Sequence, residues 1–168
     1  MSLPISQSVP VGRVAGIDYG RRRIGVAVCD AERIIASPLS VHQTTGDHAA
    51  DALFFQQLAA AEELAGFVVG LPLHADGSTS EMADEVERFG RWLGRATGLP
   101  VAYQDERYTS REAAGMLAGV GLSRARKKAR SDAVAAQLVL QAWIEAQAAG
   151  GGAAPGAQIG RASCRERV

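Results

Sequence analysis

Cysteine is nearly absent from the 168-residue chain, which has two, Cys29 and Cys164. Neither belongs to a repeated thiol spacing, so a disulfide framework and a thiolate zinc site are both excluded. Histidine is as scarce: His42, His48 and His74 are scattered and show no zinc-ligand spacing. There is no excess of one charge, with 18 Lys and Arg against 18 Asp and Glu. Any contact with nucleic acid must therefore come from local basic patches rather than a uniformly positive surface. No apolar run approaches the length of a membrane span. The start, "MSLPISQSVPVGR", lacks the basic and apolar stretches of a signal peptide. These absences lead to the expectation of a cytoplasmic protein in a reducing compartment, with no membrane partner. The length fits one domain with a full hydrophobic core.

The two ends stand apart from that domain. Residues 1–12 read as a flexible N-terminus, and 150–168 as a disordered Gly/Ala-rich tail. Within the tail, Ile159 to Val168, "IGRASCRERV", resemble the in-frame translation of a sequencing adapter. They are set aside as read-through. Without them the chain has 15 basic and 17 acidic residues, and Cys29 is its single cysteine. Placed inside an apolar strand, Cys29 reads as a small hydrophobe.

What is present is a regular alternation of strands and helices over 13–149. Val14 to Asp18 and Ile24 to Cys29 read as strands joined by the turn "YGRRR", with "RIIAS" a third. Connections this short imply an antiparallel meander. Ala49 to Leu64 follows as a helix with Leu53, Phe54, Gln57, Leu58, Ala61 and Leu64 near one face. The run "GFVVGLP" is a buried strand. After the turn "ADGS", Ser78 and Glu81 form a capping box for a helix with Met82, Val86, Phe89 and Leu93 at steps of three and four. That helix ends near Gly98. "VAYQ" is the next strand, and Thr109 with Glu112 caps a short helix. A basic loop leads to a long helix from about Ser131 to Ala149. The order βββ-α-β-α-β-α-α predicts an α/β fold: a five-stranded mixed sheet, first three strands antiparallel, last two parallel to the first, helices on both faces. That outline is RNase H-like.

Carboxylates fall at three informative places. Asp18 ends the first strand, Asp105 and Glu106 follow the last strand, and Asp132 begins the last helix. In an open α/β sheet, ligands gather where strands end and the chain order switches, and the first and fourth strands meet at such a point. Ala135, Ala136 and Val139 lie on the same helix face as Asp132, and small residues there would let the helix backbone approach the sheet. Clustered carboxylates repel one another and call for a cation, and an all-oxygen set favours Mg²⁺ or Mn²⁺ over zinc. Two such ions can activate water and stabilise a leaving oxygen in phosphodiester cleavage. Taken singly, each acid has an ordinary role: Asp18 in a turn, Asp105 and Glu106 in a solvated loop, Asp132 on the helix dipole. Alternation along the strand does not decide between Asp105 and Glu106, because the strand has ended.

Four blocks, "GIDYGRRRIGVAVCD", "VVGLPLHADGS", "DERYTSREA" and "RSDAVAAQLVLQAW", in this order and spacing, resemble the YqgF family, also called RuvX. The resemblance covers residues 13 to 147. It implies an RNase H-like nuclease that processes the 5′ end of pre-16S ribosomal RNA in ribosome biogenesis. It also implies an acidic triad of Asp18, Glu106 and Asp132 as catalytic residues and metal ligands for Mg²⁺ or Mn²⁺, and so chooses Glu106 over Asp105. The family was earlier proposed to be a Holliday-junction resolvase.

The expected nucleic-acid contacts surround these acids. Gly20 would admit a phosphate close to the backbone, or serve the turn alone. Arg21, Arg22 and Arg23 adjoin Asp18, with Arg21 and Arg23 the expected contacts; Arg107 follows Glu106 and could neutralise phosphate or pair with Asp105. Arg124, Arg126, Lys127, Lys128 and Arg130 place five cations in seven residues and are the best phosphate-binding patch. Phe89, Trp92, Tyr103 and Trp143 read as core, while Tyr19 and Tyr108 flank the acids and could stack on a base. Three functions fit: a nuclease on structured RNA, a resolvase on branched DNA, or an RNA-binding assembly factor that does not cleave. A resolvase needs two sites, hence a homodimer, whereas a monomer suffices for the others. An actin-like phosphotransferase is disfavoured, because this chain has one copy of the fold and lacks a second glycine-rich phosphate loop.

Overall fold

The structure, a computed structural model, describes residues 8–74, 76, 80–106 and 124–151. The elements in chain order are β1 (Arg13–Asp18), β2 (Arg23–Cys29), β3 (Ala36–Gln43), α1 (His48–Ala61), β4 (Leu64–Leu71), α2 (Glu81–Thr97), β5 (Val101–Asp105) and α3 (Arg124–Gly151). The strands form one sheet in the order β3-β2-β1-β4-β5. β1 pairs antiparallel with β2, and β2 with β3. β4 runs parallel to β1, and β5 parallel to β4. This is the expected mixed sheet. The proposed short helix at Thr109–Glu112 lies outside the described residues, as do 1–7 of the proposed flexible N-terminus 1–12 and 152–168 of the proposed tail 150–168; of the remainder, Val9 packs against the core, Gly12 accepts from Arg33, and α3 runs on to Gly151.

Boundaries differ from the sequence expectation most clearly at β3, α1, α2 and α3. β3 starts at Ala36 rather than Arg33. Arg33 takes the left-handed region at φ 56°, and the Asp30 carboxylate accepts from the backbone N–H groups of Ile34 and Ile35, both at 2.9 Å. These bonds make "RII" part of a turn. Further along, the β2–β3 register slips between Val26 and Ala27, so that Pro38 pairs with Ala27 and Ser40 with Val26. The bulge, on an edge strand, accommodates a proline that has no N–H to donate.

α1 ends at Ala61, and Leu64 opens β4. Glu63, at φ 51°, reverses the chain between them. The buried face of α1 is Phe55 and Leu58, while Leu53 is exposed. The N-cap of α2 is Ser80, whose Oγ accepts from Ala83 N at 3.1 Å; Ser78 lies outside the described residues. The α2 C-cap is Gly98 at φ 74°, a left-handed position that glycine occupies without strain.

The basic run is not a loop: Arg124 to Arg130 form the first turns of α3. Arg, Lys and Ala are good helix formers, and no Gly or Pro interrupts them. Asp132 therefore sits within α3 instead of opening it, and the helix-dipole role offered for it lapses.

Alternation along the strands sorts the core into two faces. Ala15, Ile17, Ile24, Val26, Phe67 and Val69 pack against Phe55 and Leu58 of α1 and Val86 and Leu93 of α2. Val14, Ala27, Cys29, Val68 and Ala102 pack against Ala136, Val139, Leu140 and Trp143 of α3. Burial pushes the Cys29 thiol pKa up, in keeping with its role as a small hydrophobe. Gly16 and Gly25 lie on the α3 face, where a Cβ on Gly16 would stand 2.7 Å from the Ala136 carbonyl oxygen and one on Gly25 would overlap the Asp132 carbonyl. Among the described residues no helix is long and apolar enough to cross a membrane.

Candidate active site

β1 delivers Asp18 at its C-terminal end, where β1 and β4 are neighbours. Asp18 has the parity of Val14 and Gly16, so it belongs to the α3 face. Glu106 follows β5 directly and reaches the same corner over Gly70. A Cβ on Gly70 would come within 2.9 Å of the Glu106 Cγ and Cδ, so the glycine makes room for the carboxyl. Glu106 and Asp18 are hydrogen-bonded through their side chains.

The electrostatics of the pair follow from that burial. Burial is the main cause of a raised pKa at Asp18, and the Asp132 charge adds to it, while the Glu106 hydrogen bond and the Lys128 charge oppose it. Glu106 is pushed up to about 8, first by burial, then by the charge of Asp18 and the bond to it, then by the charge of Asp105. Both carboxyls are thus pushed toward their protonated forms, and the hydrogen bond between them needs one shared proton.

Asp132 comes to the corner because Gly25 lets the α3 backbone rest on β2. Its Oδ2 accepts from Arg23 Nε at 2.9 Å. Arg23 thus faces the third acid rather than open solvent. Among the described residues no three Asp, Glu, His or Cys side chains are already gathered closely enough to hold a metal ion. Asp18, Glu106 and Asp132 nevertheless form an oxygen-only set whose charges are now balanced by a shared proton and a guanidinium. A hard divalent cation could replace both, so the donor set fits Mg²⁺ or Mn²⁺. Such an ion would supply an activated water and charge stabilisation at a scissile phosphate.

The other expected contacts divide. Arg21 is exposed but committed: its Nε lies 3.0 and 3.1 Å from the two Glu85 oxygens, and a second guanidinium nitrogen lies 2.9 Å from one of them. A Cβ on Gly20 would stand 2.5 Å from the Arg23 carbonyl oxygen, so the tight turn by itself accounts for that glycine. Arg124, Arg126, Lys127, Lys128 and Arg130 are all exposed on α3. Helical geometry splits them: Arg124 and Lys128 share the face of Asp132 at steps of four, and Arg126 and Arg130 share another. Arg107 and Tyr108 lie outside the described residues.

Three residues here were not singled out from the sequence. Gly25 and Gly70 interrupt apolar strands, a pattern that signals close approach of other chain segments. Glu85, which accepts from the Tyr19 hydroxyl at 2.8 Å as well as from Arg21, is brought in from a distant helix and has no local signal.

Fold and site together define an RNase H-like protein with an acidic corner at the end of its first strand. The family model described as "RuvX: Holliday junction resolvase" matches residues 12–146. The chain belongs to the RuvX family. A relative from Rhodopirellula baltica, provisionally named a pre-16S rRNA nuclease, is 45% identical over 135 residues, covering 80% of this chain and 78% of the relative. A Synechococcus relative with the same provisional name is 40% identical over 139 residues, covering 83% of this chain and 93% of the relative. Among solved structures, T. thermophilus RuvC in complex with a Holliday junction substrate aligns with a TM-score of 0.51 at 20% identity, covering 82% of this chain and 96% of that one. That likeness speaks to the fold.

Proposed function

We propose that this protein is a metal-dependent nuclease that hydrolyses phosphodiester bonds at the 5′ end of pre-16S ribosomal RNA, through a domain spanning 13–149. The observation that carries the reading is the proton-sharing Asp18–Glu106 pair at the end of β1, with Asp132 close enough to act on Asp18 through its charge. Asp18, Glu106 and Asp132 are the proposed catalytic residues and the ligands of Mg²⁺ or Mn²⁺, which would supply the activated water. With a cation bound, Glu106 would hold it without the proton it now carries, and Asp132 would turn from Arg23 to hold it as well. Lys128, on the same side of α3 as Asp132, helps hold the scissile phosphate, and the other cations of 124–130 position the flanking backbone. The names of the relatives support RNA as the substrate. The family's description supports branched DNA as the second reading.

The test is cleavage of a pre-16S 5′-leader RNA and a four-way DNA junction side by side, with Mn²⁺ or EDTA, by wild type and Asp18→Asn. The expected result is metal-dependent cutting of the RNA alone, lost in the variant. Cutting of the junction alone would install the resolvase reading. RNA binding without cutting of either would make the protein an assembly factor and remove the catalytic role from the triad.

A further inference from the structure

The residue after Asp18 opens onto a different feature. Tyr19 packs against the core on the α1 and α2 side of the sheet, away from the acidic corner. There it lines a cleft of about 470 Å³ between the N-terminal part of α1, the β3–α1 loop and α2. Clefts of roughly 300–1,000 Å³ suit small organic ligands. A line of aromatic rings runs along it. Tyr19 lies 4.7 Å from Phe89, Phe89 lies 5.7 Å from Trp92, and Trp92 lies 6.0 Å from His48, centroid to centroid.

Its charge is unbalanced in one direction. Two carboxylates line the cleft, and both are engaged within the protein. Glu85 accepts from Tyr19 and Arg21. Asp51 accepts from His42 at 2.8 Å and from the Thr45 N–H and hydroxyl, both at 3.2 Å. Arg88 and Arg95 also line the cleft, on one side of α2 with Trp92 between them. Both are exposed, and among the described residues neither forms an ion pair, although Arg88 acts on Glu85 through its charge. Half-buried rings beside two cations without a carboxylate partner are suited to a ligand with an aromatic face and a negative charge.

We propose that this cleft receives an unpaired nucleotide of the strand being cut, its base stacked on the Trp92 and Phe89 rings and its phosphate held by Arg88 and Arg95. The proposal rests on the nuclease reading for its source of ligand. A strand crossing the end of β1 would meet the acidic corner through Asp18 and the cleft through Tyr19. The enzyme would then select substrates with single-stranded RNA next to the cut and pass over continuous duplex.

Binding in EDTA separates this proposal from the nuclease reading. The probe is a single-stranded RNA hexamer carrying 2-aminopurine, whose fluorescence falls when its base is stacked. Wild type is expected to quench it saturably. Arg88→Gln/Arg95→Gln, at exposed positions and with an unchanged melting temperature, should bind on the order of tenfold more weakly, with the salt slope reduced by about one to two. A blunt RNA duplex should compete poorly. Absent quenching, equal affinity in the double variant, or full competition by the duplex would overturn the subsite. Asp18→Asn should quench as wild type does. Cutting by wild type without cleft-dependent quenching would sink the subsite and leave the nuclease standing; quenching without cutting would do the reverse.

Discussion

The two faces of the sheet differ in how closely their helices approach it. Under α1 and α2 the interior is made of large side chains, with Phe55, Phe67 and Leu93 fully buried and Phe89 and Trp92 closing the outer edge. Under α3 small residues stand among large ones: Ala27, Ala36, Ala102 and Ala136 beside Val139, Leu140 and Trp143, with Gly16 and Gly25 beneath the helix backbone. The first face also carries the cleft lined by residues of α1 and α2. Smallness on the second brings main chain against main chain, and so fixes where Asp132 stands relative to Asp18. The difference suggests a division of labour in which the first face contributes most of the hydrophobic stabilisation and the second sets the position of the acids.

Substitutions can break that division from either side. Phe55→Ala should cost about 3–5 kcal/mol in urea unfolding, with Mn²⁺ affinity little changed in the folded fraction. Gly25→Val places side-chain atoms on the Asp132 carbonyl. It should cost about as much, because the overlap is with helix backbone rather than with a side chain that can turn away, and it should weaken Mn²⁺ binding more than Phe55→Ala does. Equal effects of the two on the metal would erase the distinction between the faces.

A smaller effect sharpens the same comparison through pH. In the folded chain Glu106 keeps its proton up to about 8, against an ordinary value of 4.5. Unfolding releases it to ionise, so between those values the folded chain binds more protons. Stability of the metal-free protein should therefore fall as pH rises through that window. Melting temperatures recorded across it should decline in wild type and decline less in Glu106→Gln, and Mn²⁺ should offset most of the decline at the upper end. A wild-type profile as flat as that of Glu106→Gln would mean that the pair does not share a proton.

Much of this was legible in the sequence because the fold is written in short-range patterns. The turn "YGRRR", the apolar run at the centre of β4 and the three-and-four spacing in α2 each follow from local chemistry, and together they leave little choice of topology. Boundaries were lost where a side-chain bond or a left-handed residue overrode propensity. The Asp30 carboxylate turned "RII" away from β3, and Glu63 cut α1 short of Leu64. The acids were visible as positions at strand ends, but their contacts were not. Strand alternation left Asp105 and Glu106 unseparated, the resemblance chose Glu106, and its path past Gly70 is visible only in the structure; the pairing of Arg23 with Asp132 joins residues more than a hundred positions apart. The basic run was misread as a loop because charge density was weighed over helix propensity, and with it went the placement of Lys128 one turn from Asp132.

The most direct test of the account is a calorimetric Mn²⁺ titration of wild type beside Asp18→Asn, Glu106→Gln and Asp132→Asn. The account predicts saturable binding with proton release in wild type, and affinity lower by on the order of tenfold or more in each variant. Unchanged Mn²⁺ affinity in all three would contradict it, and would leave the acidic corner as a proton-sharing pair with no cation to hold.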